Sequence, residues 1–225
     1  MLTINNQIST SIESKQLLHD IGYDTECEPP TRITSLVHDY LELADYLIDT
    51  SYAYAIKHIY FVQDASVAIE GWITFKSKIV SDLLKQCEKV AVFAVTIGNR
   101  LEDMAYRIAE NRSVLQARVL DAIGSRATEK VVKLVEDSIT EEASAEGLCT
   151  SRRFSPGYCD WNVDQQQSLF QALDGDSAGI ELTDGYLMIP RKSVSGIIGI
   201  GSCNSDVENY NPCNSCTKPE CPGRR

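Results

Sequence analysis

Arg153-Phe154-Ser155-Pro156-Gly157-Tyr158 is followed downstream by Leu182-Thr183-Asp184-Gly185-Tyr186-Leu187-Met188-Ile189-Pro190 and then by Lys192-Ser193-Val194-Ser195-Gly196. The first of these segments gathers three chemical capacities in one short loop. A guanidinium offers a fork of donors to a carboxylate. Pro-Gly sets a tight turn in which a residue without Cβ lets the backbone approach a ligand closely. An aromatic ring offers its face to a flat base or a sulfonium. A purely structural loop has the same composition, and the residues alone leave that reading open. The later segments are strand-like over 180–188 and 194–200.

Between the two motifs, 164–173 is helical in pattern. Upstream, Val114, Leu115, Val119, Leu120, Ile123, Val131, Leu134, Val135 and Ile139 recur at helical spacing and predict one long helix over 113–143. At 1.5 Å per residue such a helix spans about 45 Å, enough to back a sheet. A helix over 100–111 precedes it, set off by Gly98-Asn99, and the β-branched run from Val90 to Ile97 predicts a buried strand. Ser77 is a candidate N-cap for a helix over 78–87. Residues 64–75 read as paired strands around a break at Glu70-Gly71. Leu36, Val37, Tyr40, Leu41, Leu43, Ala44, Leu47 and Ile48 predict a helix over 35–49, and Lys15 to Ile21 a short one that stops near Gly22.

The chain has 225 residues, enough for one large domain or two small ones with a core that needs no cross-links. Its formal net charge of −11 repels phosphate backbones and anionic membranes, so nucleic acid is not an expected partner. No apolar run is long enough to span a bilayer, and the opening MLTINNQISTSIESKQ has neither a basic nor an apolar stretch. The expectation is a cytoplasmic protein without a membrane segment, whose cysteines are reduced rather than organised as a disulfide framework. Oligomeric state cannot be read from an apolar helical face.

The order and spacing of RFSPGY, the helix carrying Asp164 and Gln165, and LTDGYLMIPRKSVSG resemble the activation domain of cobalamin-dependent methionine synthase. The resemblance is strong over 147–200, weaker over 78–146 and faint before that. It implies an α+β fold in which an antiparallel twisted sheet packs with long helices. It also implies binding of S-adenosylmethionine (AdoMet): Arg153 on the methionyl carboxylate, Gly157 and Tyr158 against the adenosine, and Glu129, in Arg126-Ala127-Thr128-Glu129, on the amino group or ribose. Such a domain serves the reductive methylation of a cobalamin. No Asp-x-His-x-x-Gly segment is present, since His19, His38 and His58 lie in other contexts. The corrinoid is therefore expected from a partner, either a cobalamin-binding protein or a corrinoid methyltransferase. The tyrosine that follows the SVSG strand in the family is replaced here by IIGIGSCNS.

Cysteines crowd the C-terminus, and a small appendage is expected over 202–225 on a domain of 1–201. Cys203, Cys213, Cys216 and Cys221 supply four thiolates, with Cys213 and Cys216 in Cys-x-x-Cys spacing. Zinc, an iron–sulfur cluster and uncoordinated thiols are all compatible with this set. A cluster is favoured on functional grounds, because reductive methylation needs an electron. Two other functions stay in view: a non-catalytic AdoMet-binding or docking module, and an electron-transfer element built on the tail.

Overall fold

The computed structural model describes residues 12–23, 29–203, 207–214 and 220. Its elements are helices α1 (Ser14–Asp20), α2 (Thr31–Leu47), α3 (Lys78–Leu84), α4 (Arg100–Glu110), α5 (Val114–Ala145) and α6 (Gln166–Gln171), and strands β1 (Ser51–Gln63), β2 (Ser66–Ile69), β3 (Ile73–Lys76), β4 (Cys87–Thr96), β5 (Leu148–Thr150), β6 (Glu181–Leu182), β7 (Met188–Ile189) and β8 (Ser193–Ser202). A six-stranded sheet runs in the order β3-β2-β1-β4-β8-β5, and β6 and β7 form a separate pair. The chain divides into two compact units. One comprises Met1–Ser51, Val95–Lys133 and Ile189–Val194, and the other Tyr52–Ala94, Leu134–Met188 and Ser195–Arg225. The fold is α+β, as the resemblance implied.

Helices dominate the first unit. Leu17 and Ile21 of the α1 region and Ile33, Val37 and Ala44 of α2 are buried together with Leu101 of α4. The N–H groups of Ile33 and Thr34 donate to the Pro30 carbonyl, so α2 starts directly after the proline and not at Ser35. Proline favours such starts because its own missing N–H would be unpaired there anyway. Arg126 of α5 grips Asp20 through Nε (2.5 Å) and Nη2 (2.7 Å). These hydrogen bonds, together with the nearby positive charge, hold the Asp20 carboxyl below its ordinary pKa although burial works the other way.

The second unit holds most of the sheet. β2 and β3 pair antiparallel across the turn at Gly71-Trp72, with Val67 opposite Phe75, as the break at Glu70-Gly71 predicted. β1 pairs antiparallel with β2. Ser77 caps α3, its Oγ accepting from the Val80 N–H at 3.0 Å, and the helix ends at Leu84 because Cys87 already belongs to β4. Phe75, Val80, Leu84, Val90, Val92, Trp161, Leu169 and Ile197 form the centre of an apolar core. Lys57 of β1 lies against this core, and its ammonium is paired with Asp174 at 2.5 Å. A nearly buried lysine needs such a partner.

Along α5, Val119, Ile123, Ala127, Val131, Val135, Ile139 and Ala143 are buried. The stripe recurs every fourth residue, and Val114 and Leu134, expected on it, are exposed. The strand expected over 180–188 is instead the short β6/β7 pair. Thr183 closes its turn, with its N–H donating to the Leu187 carbonyl and its Oγ1 accepting from the Leu187 N–H. Among the described residues no helix is long and apolar enough to cross a membrane.

Candidate functional site

The 153–158 loop is fixed to β8 through its second residue. The Phe154 N–H donates to the Ile197 carbonyl at 2.9 Å, and the Ile197 N–H returns a bond to Phe154 at 2.8 Å. Beside this bridge the Arg153 side chain is only 12% exposed, with its guanidinium 3.7 Å from the Glu136 carboxylate of α5. Further on, Gly157 adopts φ +95°, a conformation that disfavours any Cβ, and a Cβ built there would meet nothing within 4 Å among the described residues. Space beside this backbone is therefore open. The Gly157 N–H donates to the Trp161 carbonyl at 2.7 Å, and the Trp161 N–H donates to the Tyr158 carbonyl at 2.9 Å. That reciprocal pair closes a compact turn. Tyr158 stays 48% exposed at its rim, while Trp161 is buried beneath, stacked on Phe154 at 5.8 Å and edge-on to Phe75 at 5.5 Å.

The SVSG motif acts as the seat for this loop. A Cβ on Gly196 would lie 2.9 Å from the Phe154 carbonyl oxygen, 3.0 Å from the Phe93 ring and 3.0 Å from Ser155 Oγ. The glycine is thus required by the approach of the loop and not by its own backbone angle. Gly196→Ala is expected to destabilise the protein by about 1–3 kcal/mol through overpacking, seen as a lower midpoint in urea. An unchanged midpoint would mean that the loop moves aside at little cost. Next to it, buried Ser195 donates to Gln166 Oε1 at 2.6 Å, tying β8 to α6. Ser151 Oγ accepts from the Gly199 N–H at 2.8 Å.

Asp160 holds the other end of the loop. Its Oδ1 accepts from Ser77 Oγ at 2.7 Å and its Oδ2 from the Lys78 N–H at 2.6 Å, while the Ile79 N–H lies 3.4 Å from Oδ1. Partial burial works to raise this carboxyl's pKa, but the hydrogen bonds from Ser77, Lys78 and Ile79 together outweigh it and hold the value below the ordinary aspartate range. The resulting stabilisation is complete above that range and is lost as pH falls through the lowered folded value.

The remaining AdoMet candidate is carried by another element. Glu129 is exposed on α5 and belongs to the helical unit, as does Lys192. The Lys192 ammonium pairs with Asp121 at 2.7 Å, and its carbonyl accepts from the Ile97 N–H. Tyr186 is half-buried in the β6/β7 turn.

The cysteine expectations need correction. Cys203 is joined to Cys149 in a disulfide with a Cα–Cα distance of 4.9 Å. β5 and β8 pair so that Cys149 faces Gly201, which brings Cys203 diagonally within bonding reach. A sulfur so engaged has no thiolate to give a metal, so Cys203 does not belong to a four-thiolate set in this state. Cys213 keeps its thiol, and Cys216 and Cys221 lie outside the described residues. Among the described residues no group of three or more His, Cys, Asp or Glu side chains is placed to hold a metal ion. Proteolysis without reductant, followed by mass spectrometry, is expected to give a cross-linked peptide pair containing Cys149 and Cys203; recovery of both as alkylated thiols would refute the bond. Cys87 is expected to resist alkylation in the native protein, because burial pushes its thiol pKa up to about 12.

What the geometry assembles is a sheet-mounted loop that presents a guanidinium, an open backbone turn and an exposed ring. The fold is similar to a solved structure of the MetH reactivation domain bound to AdoHcy, with a TM-score of 0.61 and 16% sequence identity over 85% of this chain and 71% of that one. The sequence profile of the activation domain of vitamin B12-dependent methionine synthase matches residues 62–211, and the chain belongs to that family. No curated protein matches it. Asp160, Gln166 and Gly196 escaped the sequence reading as structural pins.

Proposed function

We propose that this domain binds AdoMet on the 153–158 loop and serves the reductive reactivation of a corrinoid held by a partner protein. The observation that carries the reading is the placement of Arg153, Gly157 and Tyr158 on one loop with open space beside Gly157, in a chain of this family. Bound AdoMet supplies a methyl group on a positively charged sulfur. The residues of this chain bind and orient it. Arg153 takes the methionyl carboxylate, the turn at Gly157 lets the ligand lie against the backbone, and the Tyr158 ring covers the adenosine. Methyl transfer of this kind asks for position and orientation more than for a side-chain acid or base.

The corrinoid is a substrate brought by a cobalamin-binding partner or a corrinoid methyltransferase; a separate one-electron donor reduces its cobalt, which then takes the methyl group from the sulfonium and releases S-adenosylhomocysteine. In this reading residues 202–225 form an appendage, anchored to the domain at its start by Cys203. The test is a calorimetric titration of AdoMet into the full chain under anaerobic conditions. Saturable binding of one equivalent is expected. Absence of heat at millimolar ligand, confirmed by equilibrium dialysis, would sink the reading.

A further inference from the structure

We propose that Asp160 is a positioning residue for the AdoMet site: it does not touch the ligand but clamps the far end of the 153–158 loop onto the first turn of α3. The inference rests on the AdoMet reading above. The loop has two attachments. At its start the Phe154–Ile197 bridge joins it to β8. At its end the attachments include one carboxylate, which receives the Ser77 hydroxyl on one oxygen and the Lys78 N–H on the other, 83 and 82 residues away in sequence. Between them the reciprocal bonds among Gly157, Tyr158 and Trp161 make the turn a closed unit, so displacement of residue 160 is passed to Gly157 and Tyr158. Gln165 Oε1, accepting from the Lys76 N–H at 3.0 Å, holds the following segment to the same stretch of chain.

The donors around the clamp favour a carboxylate. Both oxygens accept, each from a donor on a different residue. An asparagine offers one accepting oxygen; its amide nitrogen cannot accept from the Lys78 N–H, and placed on the other side it must reverse the Ser77 bond by donating to the Oγ while facing the Ile79 N–H. Asp160→Asn thus frees one side of the loop without a change of size. Asp160→Glu keeps two accepting oxygens on a longer arm.

The experiment measures S-adenosylhomocysteine affinity by calorimetry and Trp161 fluorescence in a Trp72→Phe background, which leaves Trp161 as the sole tryptophan. Asp160→Asn is compared with Asp160→Glu and with Ile69→Ala, a core truncation in β2 remote from the loop in sequence, all well below their melting temperatures. Asp160→Asn is expected to bind about tenfold or more weakly and to shift Trp161 emission to the red, as lost hydrogen bonds admit water to the turn. Asp160→Glu is expected within about threefold of wild type. Ile69→Ala is expected to lower the melting temperature with affinity and emission unchanged. If Asp160→Asn binds as wild type does, the clamp proposal fails and the AdoMet site stands. Equal weakening in Asp160→Asn and Ile69→Ala overturns it too, since the effect would then be one of general stability. Failure of the wild type to bind removes the AdoMet site and the clamp together.

Discussion

Arg153→Ala is expected to weaken S-adenosylhomocysteine or AdoMet binding by at least about 100-fold, a loss of about 2.7 kcal/mol. The magnitude follows from the setting. The guanidinium is only 12% exposed, so a ligand carboxylate that reached it would be largely out of water. Removing one partner of such a charge pair costs about 2–5 kcal/mol, much of it the penalty of leaving the other charge unanswered. Arg153→Lys keeps the charge but loses the planar fork, and a loss of about tenfold is expected. The melting temperature of the alanine variant is read alongside, because a side chain only 12% exposed also contributes to the fold. Calorimetry and thermal melting on the same samples separate the two effects. Binding by Arg153→Ala at wild-type affinity would remove the guanidinium from the site.

Trp161→Ala is expected to cost about 3–5 kcal/mol of folding stability, read from urea unfolding, and with it the order of the whole loop. Trp161 is 1% exposed and lies between Phe154 and Phe75, so its removal leaves a cavity bounded by rings that cannot close up. Trp161→Phe should be far milder, within about 1.5 kcal/mol. Among the described residues the buried indole Nε1 has no hydrogen-bond partner, so phenylalanine loses volume but also removes an unpaired polar group. If the two variants prove equally destabilising, the indole nitrogen has a partner in solution, most simply an ordered water.

The elements legible in the sequence are those governed by neighbours in the chain. Ser77 announced α3, Gly71 the β2/β3 turn, and the spacing of Ile123, Val131, Val135 and Ile139 the long helix. β1 was not legible, although at 13 residues it is the longest strand. Its alternation is broken by Lys57, a charge facing the core, and by an irregularity between Ile59 and Phe61 that shifts the pairing register. The loop of the site could be read because Pro156-Gly157 and Arg153 carry their chemistry locally. Its supports could not. Asp160 acts on residues 82 and 83 positions away, Ser195 on Gln166, and Cys149 on Cys203 across a separation of 54, and each needs the sheet to be assembled before it has a partner.

The sheet's outer strands have a bearing on solubility. β3 and β5 flank the six-stranded sheet and run for only four and three residues. Long open strands are templates on which a second chain can add by backbone pairing. Here little template is left. The Lys76 N–H, at the last position of β3, is already given to Gln165, and β5 is bonded to β8 through the backbone and to Cys203, just after β8, through sulfur. The described sheet thus offers few strand edges on which copies of the chain could accumulate.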